Sequence, residues 1–261
     1  MSPSLPSLDV HAHVKPSIPP RELERLGAVV FVATRSLDEF ALTEKRRDAV
    51  TIWGVGCHPG VEPAQRDFDR KRFADLITRT AFVGEVGLEG RFKVPNAQQE
   101  ATFREVLAQL ATRPRITSIH SNGAPGRVLN ALAETPILGA ILHWWRGTPA
   151  QTARAVELGC WFSVNSASMR NPELVASIPF DRILTETDHP SGDRGAPDPR
   201  QPGAVDDVEA ALARIYGTTV ATVRAEVWAN LARLVQEASV MELLPTPVQR
   251  MIAAARNKGT S

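Results

Sequence analysis

Short apolar runs rich in β-branched residues alternate with segments of helical periodicity along most of the chain. The runs lie at residues 8–14, 28–34, 51–57, 82–88, 116–121, 139–144, 160–165 and 183–187. Helical patterns lie at residues 21–26, 37–48, 68–79, 96–113, 126–134, 149–158, 171–177, 206–216, 220–237 and 246–256. Strands that alternate with helices are parallel. Eight such repeats predict an α/β fold of the (β/α)8 TIM-barrel type rather than an open doubly wound sheet.

The length of the chain fits one such barrel. At roughly 100–200 residues per domain, 261 residues allow one large domain or two small ones, and single barrels commonly reach about 250. We predict one domain over residues 1–261, with its core at 8–237 and a C-terminal helix and tail at 238–261. The proline- and glycine-rich segment 189–205 follows the eighth strand, so we interpret it as an active-face loop and not as a linker.

Histidines and carboxylates stand at the ends of five predicted strands. His11 and His13 point to the same side of the first strand, because strand side chains alternate with a period of two. Glu85 lies in a glycine-flanked apolar run, where a buried charge requires a cationic partner. The fifth, sixth and eighth strands end in His120, His143 and Asp188. We therefore expect all six groups to meet at one mouth of the barrel, the opening at the carboxyl ends of its strands.

These groups are suited to bind metal. Imidazole and carboxylate ligands without thiolate suit Zn²⁺, Mn²⁺, Fe²⁺ or Mg²⁺, and six ligands exceed what one tetrahedral ion accepts. We expect two divalent ions that share Glu85 as a bridge. The first ion takes His11, His13, Glu85 and Asp188, and the second takes Glu85, His120 and His143.

The overall composition adds limits. Thirty Lys and Arg against 29 Asp and Glu leave a net charge of +1, so no strong global field attracts polyanions. Two cysteines are too few for a disulfide framework, and no apolar stretch approaches the roughly 18–20 residues that span a bilayer. We expect a cytoplasmic protein without a membrane contact.

The ordered motifs resemble the signature series of TatD-family metal-dependent DNases. They are Asp-Val-His-Ala-His (9–13), Gly-Cys-His-Pro (56–59), Gly-Glu-Val-Gly-Leu (84–88), Ile-His-Ser (119–121), Leu-His-Trp-Trp-Arg-Gly (142–147), Glu-Thr-Asp-His-Pro (186–190) and Ala-Asn-Leu (229–231). The segments 142–144 and 157–164 look most similar to the TatD-like nucleases of Qat anti-phage defence systems. The resemblance implies a barrel, divalent metals and hydrolysis of DNA phosphodiesters, often from single-stranded or frayed ends, and it matches the six residues above to the metal ligands.

The resemblance also implies substrate contacts, with two departures. His58 matches a residue beside the scissile phosphate, with turn packing as the alternative. Asn122 stands where the family usually has a phosphate-binding arginine, and Glu89 where it has aspartate. We expect Arg146, or Arg91 and Lys93, to compensate for the missing arginine. Trp144 either stacks on a base or packs in the barrel.

The leading hypothesis is a divalent-metal-dependent DNase, of exonuclease type, with defence-system proteins as candidate partners. A metal-activated water attacks phosphorus, Asp188 ligates one ion and orients or deprotonates that water, and Glu85 bridges the ions. The first alternative is a related metallohydrolase that acts on a small amide, ester or phosphoester, because fold and metals do not fix the substrate. The second alternative is a non-catalytic barrel that binds a partner.

Overall fold

A computed structural model describes residues 5–91, 94–192 and 201–258 of the protein. Within them lie eight strands, and each hydrogen-bonded pair of strands is parallel. The strands are β1 (Ser7–Ala12), β2 (Ala28–Ala33), β3 (Thr51–Gly54), β4 (Phe82–Gly87), β5 (Ile116–His120), β6 (Ala140–Leu142), β7 (Trp161–Val164) and β8 (Ile183–Thr185). All eight coincide with the apolar runs of the sequence.

Helices separate the strands and follow the last one. In the described part of the chain they are α1 (Pro20–Glu24), α2 (Leu37–Ala41), α3 (Glu62–Arg66), α4 (Arg70–Leu76), α5 (Asn96–Thr112), α6 (Pro125–Glu134), α7 (Pro149–Glu157), α8 (Pro172–Ala176), α9 (Asp206–Ile215), α10 (Val220–Glu237) and α11 (Thr246–Lys258). Short 3-10 turns lie at Ile77–Arg79, Ser166–Arg170, Phe180–Arg182 and Met241–Leu243. None of the helices in these ranges is both long and apolar enough to cross a membrane.

Two seams close the strands into a TIM-type barrel, as the alternation predicts. A three-stranded sheet, β1 to β3, meets a five-stranded sheet, β4 to β8. At the first seam, Val55 pairs with Val83 just beyond β3, and the Gly84 N–H donates to the Val55 carbonyl at 3.0 Å. At the second seam, the Asp188 N–H donates to the His11 carbonyl at 2.8 Å. The seams bring ligands from the two sheets to the same mouth.

Aromatic and small residues fill the barrel. Phe31 of β2 and Phe82 of β4 meet edge to face with ring centroids 5.3 Å apart, and a Cβ at Gly54 of β3 would collide with the Phe82 ring. On the outside, helix α10 packs against β8, where the buried Asn230 donates to the Ile183 carbonyl at 2.8 Å. The Ala-Asn-Leu motif therefore attaches this helix to the barrel.

Most of the differences from the sequence prediction lie at element ends. The predicted strands run one to three residues past the observed carboxyl ends of the ladders, because the backbone there turns into the loops of the mouth. The predicted helix 37–48 was too long: α2 ends at Ala41, and Arg46 beyond it instead binds Asp48 and the carbonyls of Pro16 and Ile18. Helix α3 was not predicted. Of the predicted loop 189–205, residues 193–200 lie outside the described ranges.

Candidate active site

Seven side chains converge at the mouth of the barrel. They are His11 of β1, His13 and His58 in the loops after β1 and β3, Glu85 of β4, His120 of β5, His143 after β6 and Asp188 after β8. The six residues other than His58 are those that the sequence predicts as ligands, and we refer to them as the imidazole–carboxylate cluster. Their side chains are at most 13% exposed, whereas His58, at the edge, is 18% exposed.

Glu85 lies at the centre of the cluster, and each of its two carboxylate oxygens faces a different pair of imidazoles. Oε2 lies 3.2 Å from His13 Nε2 and 3.8 Å from His11 Nε2. Oε1 hydrogen-bonds with His120 Nδ1 and lies 2.8 Å from His143 Nε2. One carboxylate therefore contacts two separate pairs of imidazoles.

Outward hydrogen bonds determine which ring nitrogens face the cluster. His13 Nδ1 lies 2.8 Å from the Ala33 carbonyl, which can only accept, so Nδ1 carries a proton and Nε2 is the inward nitrogen. His120 Nε2 lies 2.9 Å from a carboxylate oxygen of Glu89, so its Nδ1 is the inward nitrogen. Both inward nitrogens face the Glu85 carboxylate, which can only accept, so in the metal-free chain they carry protons that a cation would replace.

This set of acceptors fits divalent cations. His11 Nε2 and His13 Nε2 are 3.2 Å apart, and each lies 3.7 Å from Asp188 Oδ1. His143 Nδ1 has no hydrogen-bond partner among the described residues, although it is buried. The potential ligand atoms form three groups, and within each group the atoms lie within 4.8 Å of one another. The groups are His11, His13 and Asp188; His11, His143 and Glu186; and His58, Glu85 and His120. Electron-pair donors at such distances repel one another unless positive charge lies between them.

The pKa directions of the metal-free cluster show the same demand for positive charge. Burial would raise the pKa of Glu85, but the surrounding imidazoles hold it well below its usual range. Burial lowers the pKa of His13, His120 and His143, yet the Glu85 carboxylate outweighs it and raises all three. Burial and the neighbouring His143 lower the pKa of His11. In the metal-free chain, protons on these imidazoles therefore supply the positive charge that cations would bring.

Asp188 lies on the loop side of the cluster, in a conformation that few residues adopt. Its φ of 46° is in the left-handed region, which is uncommon for residues other than glycine. Burial raises its pKa to about 7. A carboxyl group with that pKa can take up or release a proton near neutral pH.

Glu186, for which the sequence motifs predict no role, is fully buried behind His143. Its Oε1 lies 3.9 Å from His143 Nδ1 and accepts the Trp144 N–H at 3.0 Å. Asn165 Nδ2 donates to the same oxygen at 3.0 Å, and Ser163 Oγ donates to the other. Glu186 precedes Asp188 by two residues, and this period-two spacing, like that of His11 and His13, was a signal for it.

Two further buried polar residues support the first strand. Ser118 Oγ lies 2.6 Å from His11 Nδ1, so this contact fixes the orientation of the His11 ring. Asp9 accepts from the Thr187 N–H at 2.9 Å, from its Oγ1 at 2.6 Å and from the Gly203 N–H at 2.8 Å. Burial raises the Asp9 pKa to about 7. Asp9 therefore ties β1 to the segment after β8 and helps hold the ligand-bearing loops together.

His58 faces the cluster as a hydrogen-bond donor. The Gly60 N–H donates to its Nδ1 at 2.9 Å, so the ring proton resides on Nε2, which lies 3.3 Å from Glu85 Oε2. Burial lowers the pKa of His58 to about 4, which keeps the ring neutral at pH 7. The structure places this residue beside the cluster, where the sequence predicts it, with one N–H directed inward.

The other predicted substrate contacts lie further out. Asn122 Nδ2 donates to both oxygens of Glu89, at 3.1 and 3.3 Å, so Asn122 meets the cluster through Glu89. Trp144 is partly exposed at the mouth, and the Arg146 guanidinium lies 5.7 Å from the centre of its ring. Arg91 is exposed after β4, and Lys93 lies outside the described residues.

An eight-stranded parallel barrel that gathers imidazoles and carboxylates at its carboxyl mouth defines the class of metal-dependent hydrolases. A model of the family described as TatD related DNase matches residues 8–236. The chain therefore belongs to the TatD related DNase family.

Curated relatives carry consistent names. A protein of Cronobacter turicensis, named 3'-5' ssDNA/RNA exonuclease TatD, is 31% identical over 179 residues, which cover 63% of this chain and 67% of that protein. A Klebsiella pneumoniae protein of the same name is 31% identical over 118 residues, covering 41% of this chain and 44% of that protein. The chain spans about half the length of the first curated relatives it matches.

Solved structures share the fold. The crystal structure of YJJV, a TatD homologue from Escherichia coli K12, has a TM-score of 0.76 at 20% identity, covering 87% of this chain and 97% of that one. A TatD family hydrolase from Entamoeba histolytica has a TM-score of 0.72 at 14% identity, covering 89% and 99%. These likenesses establish the barrel.

Proposed function

We propose that this chain is a divalent-metal-dependent deoxyribonuclease that hydrolyses phosphodiester bonds from single-stranded or frayed ends. The observation that carries the proposal is the position of Glu85, whose two oxygens face two separate pairs of imidazoles. Glu85 and these imidazoles would hold two divalent cations, which would supply charge neutralisation at a phosphate. Two relatives are named as exonucleases of ssDNA and RNA, which supports a nucleic-acid substrate.

The six residues of the imidazole–carboxylate cluster would hold the metal ions, Mg²⁺, Mn²⁺ or Zn²⁺. When bound, the ions supply Lewis-acid activation of water and neutralise charge on the phosphate. Asp188 accepts the proton of the attacking water at a carboxylate oxygen, and its buried position beside His11 and His13 orients that water. His58 donates its Nε2–H toward the phosphate oxygens, because the Gly60 N–H already occupies Nδ1.

Exposed cations around the mouth support a polyanionic substrate. They follow the carboxyl ends of β1, β2, β4, β6 and β7 as Lys15, Arg35, Arg91, Arg146 and Arg170, and we refer to them as the rim cations. None of them is ion-paired with a carboxylate within the described ranges. By contrast, Arg72 and Arg79 on the outer helices are paired with Asp38 and Glu44. The rim cations are therefore placed to meet a phosphate backbone despite the net charge of +1.

Labelled oligonucleotides test the proposal directly. Protein loaded with Mg²⁺, Mn²⁺ or Zn²⁺ is incubated with single-stranded, blunt and frayed DNA that carries a label at either end. We expect stepwise release of nucleotides, abolished in Glu85→Gln and retained in the matched control Glu242→Gln, whose carboxylate is exposed at the Met241–Leu243 turn. Intact DNA of every end type, with metal content verified by elemental analysis, would overturn the proposal.

The surroundings of Asn122 favour one alternative, a metallohydrolase that acts on a small amide, ester or phosphoester. Its amide is hydrogen-bonded to Glu89, where the family's arginine would contact phosphate. A panel of chromogenic phosphodiester, ester and amide substrates distinguishes the two functions. Turnover of an amide or ester without any phosphodiesterase activity would support the alternative.

We also propose that the chain acts in anti-phage defence. It rests on the likeness of segments 142–144 and 157–164 to the nucleases of such systems. Expression of the chain with its neighbouring genes in phage-challenged cells tests it. Equal plaque counts with the parent and with Glu85→Gln would exclude that role.

A further inference from the structure

We propose that Glu89 and Asn122 are positioning residues that set the ring of His120, so that its Nδ1 faces the metal cluster. The inference rests on the proposed function only in treating His120 as a ligand. It concerns the two positions at which the chain departs from the family pattern, glutamate for aspartate and asparagine for arginine. In the structure these two residues contact each other and the same histidine.

The Glu89 carboxylate is the outward partner of His120. Its Oε2 lies 2.9 Å from His120 Nε2, and an ionised carboxylate can only accept, so the ring proton belongs on Nε2. His120 Nδ1 is then the nitrogen left for a cation, and in the metal-free chain it hydrogen-bonds with Glu85 and lies 3.2 Å from His143 Nε2. A carboxylate behind a ligating imidazole fixes its tautomer and makes the inward nitrogen more basic.

Glu89 itself is held on every polar atom. Asn122 Nδ2 donates to both of its carboxylate oxygens, and the Arg91 N–H donates to Oε1 at 2.6 Å. Its backbone N–H donates to Gln99 Oε1 at 2.7 Å, and its carbonyl accepts from Gln99 Nε2 at 3.2 Å. The side chain is 0% exposed, so no water competes for these bonds.

The loops after β4 and β5 run side by side and keep the two residues in register. The Leu88 N–H donates to the His120 carbonyl at 3.0 Å, and the Gly90 N–H donates to the Asn122 carbonyl at 2.7 Å. A Cβ on Gly90 would lie 2.5 Å from the Gly123 carbonyl oxygen, which leaves no room for a larger residue. Glu89 and Asn122 are therefore brought together by backbone as well as by side chain.

The neutral amide of Asn122 gives the pair its distinctive character. A guanidinium at position 122 would neutralise the carboxylate, whereas an amide orients it and leaves its negative charge. That charge then acts on the His120 ring. We infer that this chain strengthens one ligand at the position where it gives up a phosphate contact.

The test uses the full chain and three measurements on Glu89→Gln, Asn122→Ala and the control Glu242→Gln. Nitrogen-15 shifts of the histidine rings, measured with the diamagnetic ion Zn²⁺ bound, report the tautomer of His120. Calorimetric titration with Mn²⁺ gives the metal affinity, and thermal unfolding without metal gives the structural cost. Neither of the first two measurements depends on DNA cleavage.

We expect Glu89→Gln to lower Mn²⁺ affinity by about 10–100-fold and to shift the His120 ring signals away from the Nε2–H form. Asn122→Ala should lower affinity less, because the contact between His120 and Glu89 remains. The control should leave affinity and ring signals unchanged. Unchanged ring signals and affinity in Glu89→Gln would overturn the proposal, and so would a loss of thermal stability with the His120 tautomer preserved. A chain that binds Mn²⁺ and passes these tests but leaves DNA intact would refute the nuclease proposal alone.

Discussion

Replacement of Asp188 by asparagine should stabilise the metal-free protein at alkaline pH. In that state burial raises the pKa of Asp188 from 3.8 to about 7, and only 6% of its side chain is exposed. At pH 8 the folded chain therefore carries a buried, ionised Asp188 carboxylate with no metal ion beside it. Asparagine has nearly the same shape and carries no charge, so it removes that cost.

The size and sign of the effect follow from the shift. A change of about 3 pKa units corresponds to about 4 kcal/mol, at about 1.4 kcal/mol per unit. Between pH 3.8 and about 7 the folded chain holds this proton and the unfolded chain has released it, so stability falls as pH rises through that window. From pH 5 to pH 8 the parent should lose roughly 3 kcal/mol that Asp188→Asn retains.

Urea unfolding in the presence of a chelator, followed by tryptophan fluorescence at pH 5 and pH 8, measures this difference. Glu242→Gln removes an exposed carboxylate and serves as the control. Saturating Mn²⁺ should reverse the order, because the cation stabilises the ionised site of the parent and binds the asparagine variant more weakly. If the metal-free Asp188→Asn protein is no more stable than the parent at pH 8, burial of this carboxylate is not a cost and the reasoning is wrong.

Further substitutions test the rim, the edge and the core. Arg35→Ala and Arg146→Ala should each weaken single-stranded DNA binding across all sequences and lower the slope of log K against log salt by about one. The control Arg72→Ala, at a residue paired with Asp38, should change neither. Equal slopes in fluorescence anisotropy titrations would show that the rim cations do not contact DNA. His58→Ala should lower kcat on DNA while Mn²⁺ affinity stays within a few-fold, because its inward atom is a donor; a large loss of affinity would make it a ligand instead. Trp228→Ala should lower the free energy of unfolding by about 3–5 kcal/mol, because its ring is fully buried and its Nε1 donates to the Pro6 carbonyl; a loss below 1 kcal/mol in urea titration would contradict the packing.

The strands and six cluster residues could be predicted because each carries a strong local signal. His11 and His13 end an apolar run two residues apart, and Glu85 interrupts a buried strand with a charge. Once the strands are parallel, their carboxyl ends must share one mouth. The ends of helices and strands were harder to predict. The turn after Ala41, for example, depends on contacts of Arg46 with the carbonyls of Pro16 and Ile18, which are distant in sequence.

The supporting residues could not be derived in this way. Ser118 and Asn165 are ordinary polar residues in the sequence, and only the barrel reveals that one contacts His11 and the other Glu186. Glu89 and Asn122 stood out as two separate departures from a motif. Their contact became visible when the loops after β4 and β5 were placed side by side.

The second seam of the barrel makes the two ends of the folding unit interdependent. The Asp188 N–H bonds the His11 carbonyl, while the side chains of the same two residues stand 3.7 Å apart across the junction. His11 precedes Asp188 by more than 170 residues in the sequence, so the part of the cluster that contains both is assembled only when the segment after β8 has joined β1. The contact that closes the barrel is therefore also the contact that completes this part of the candidate metal site.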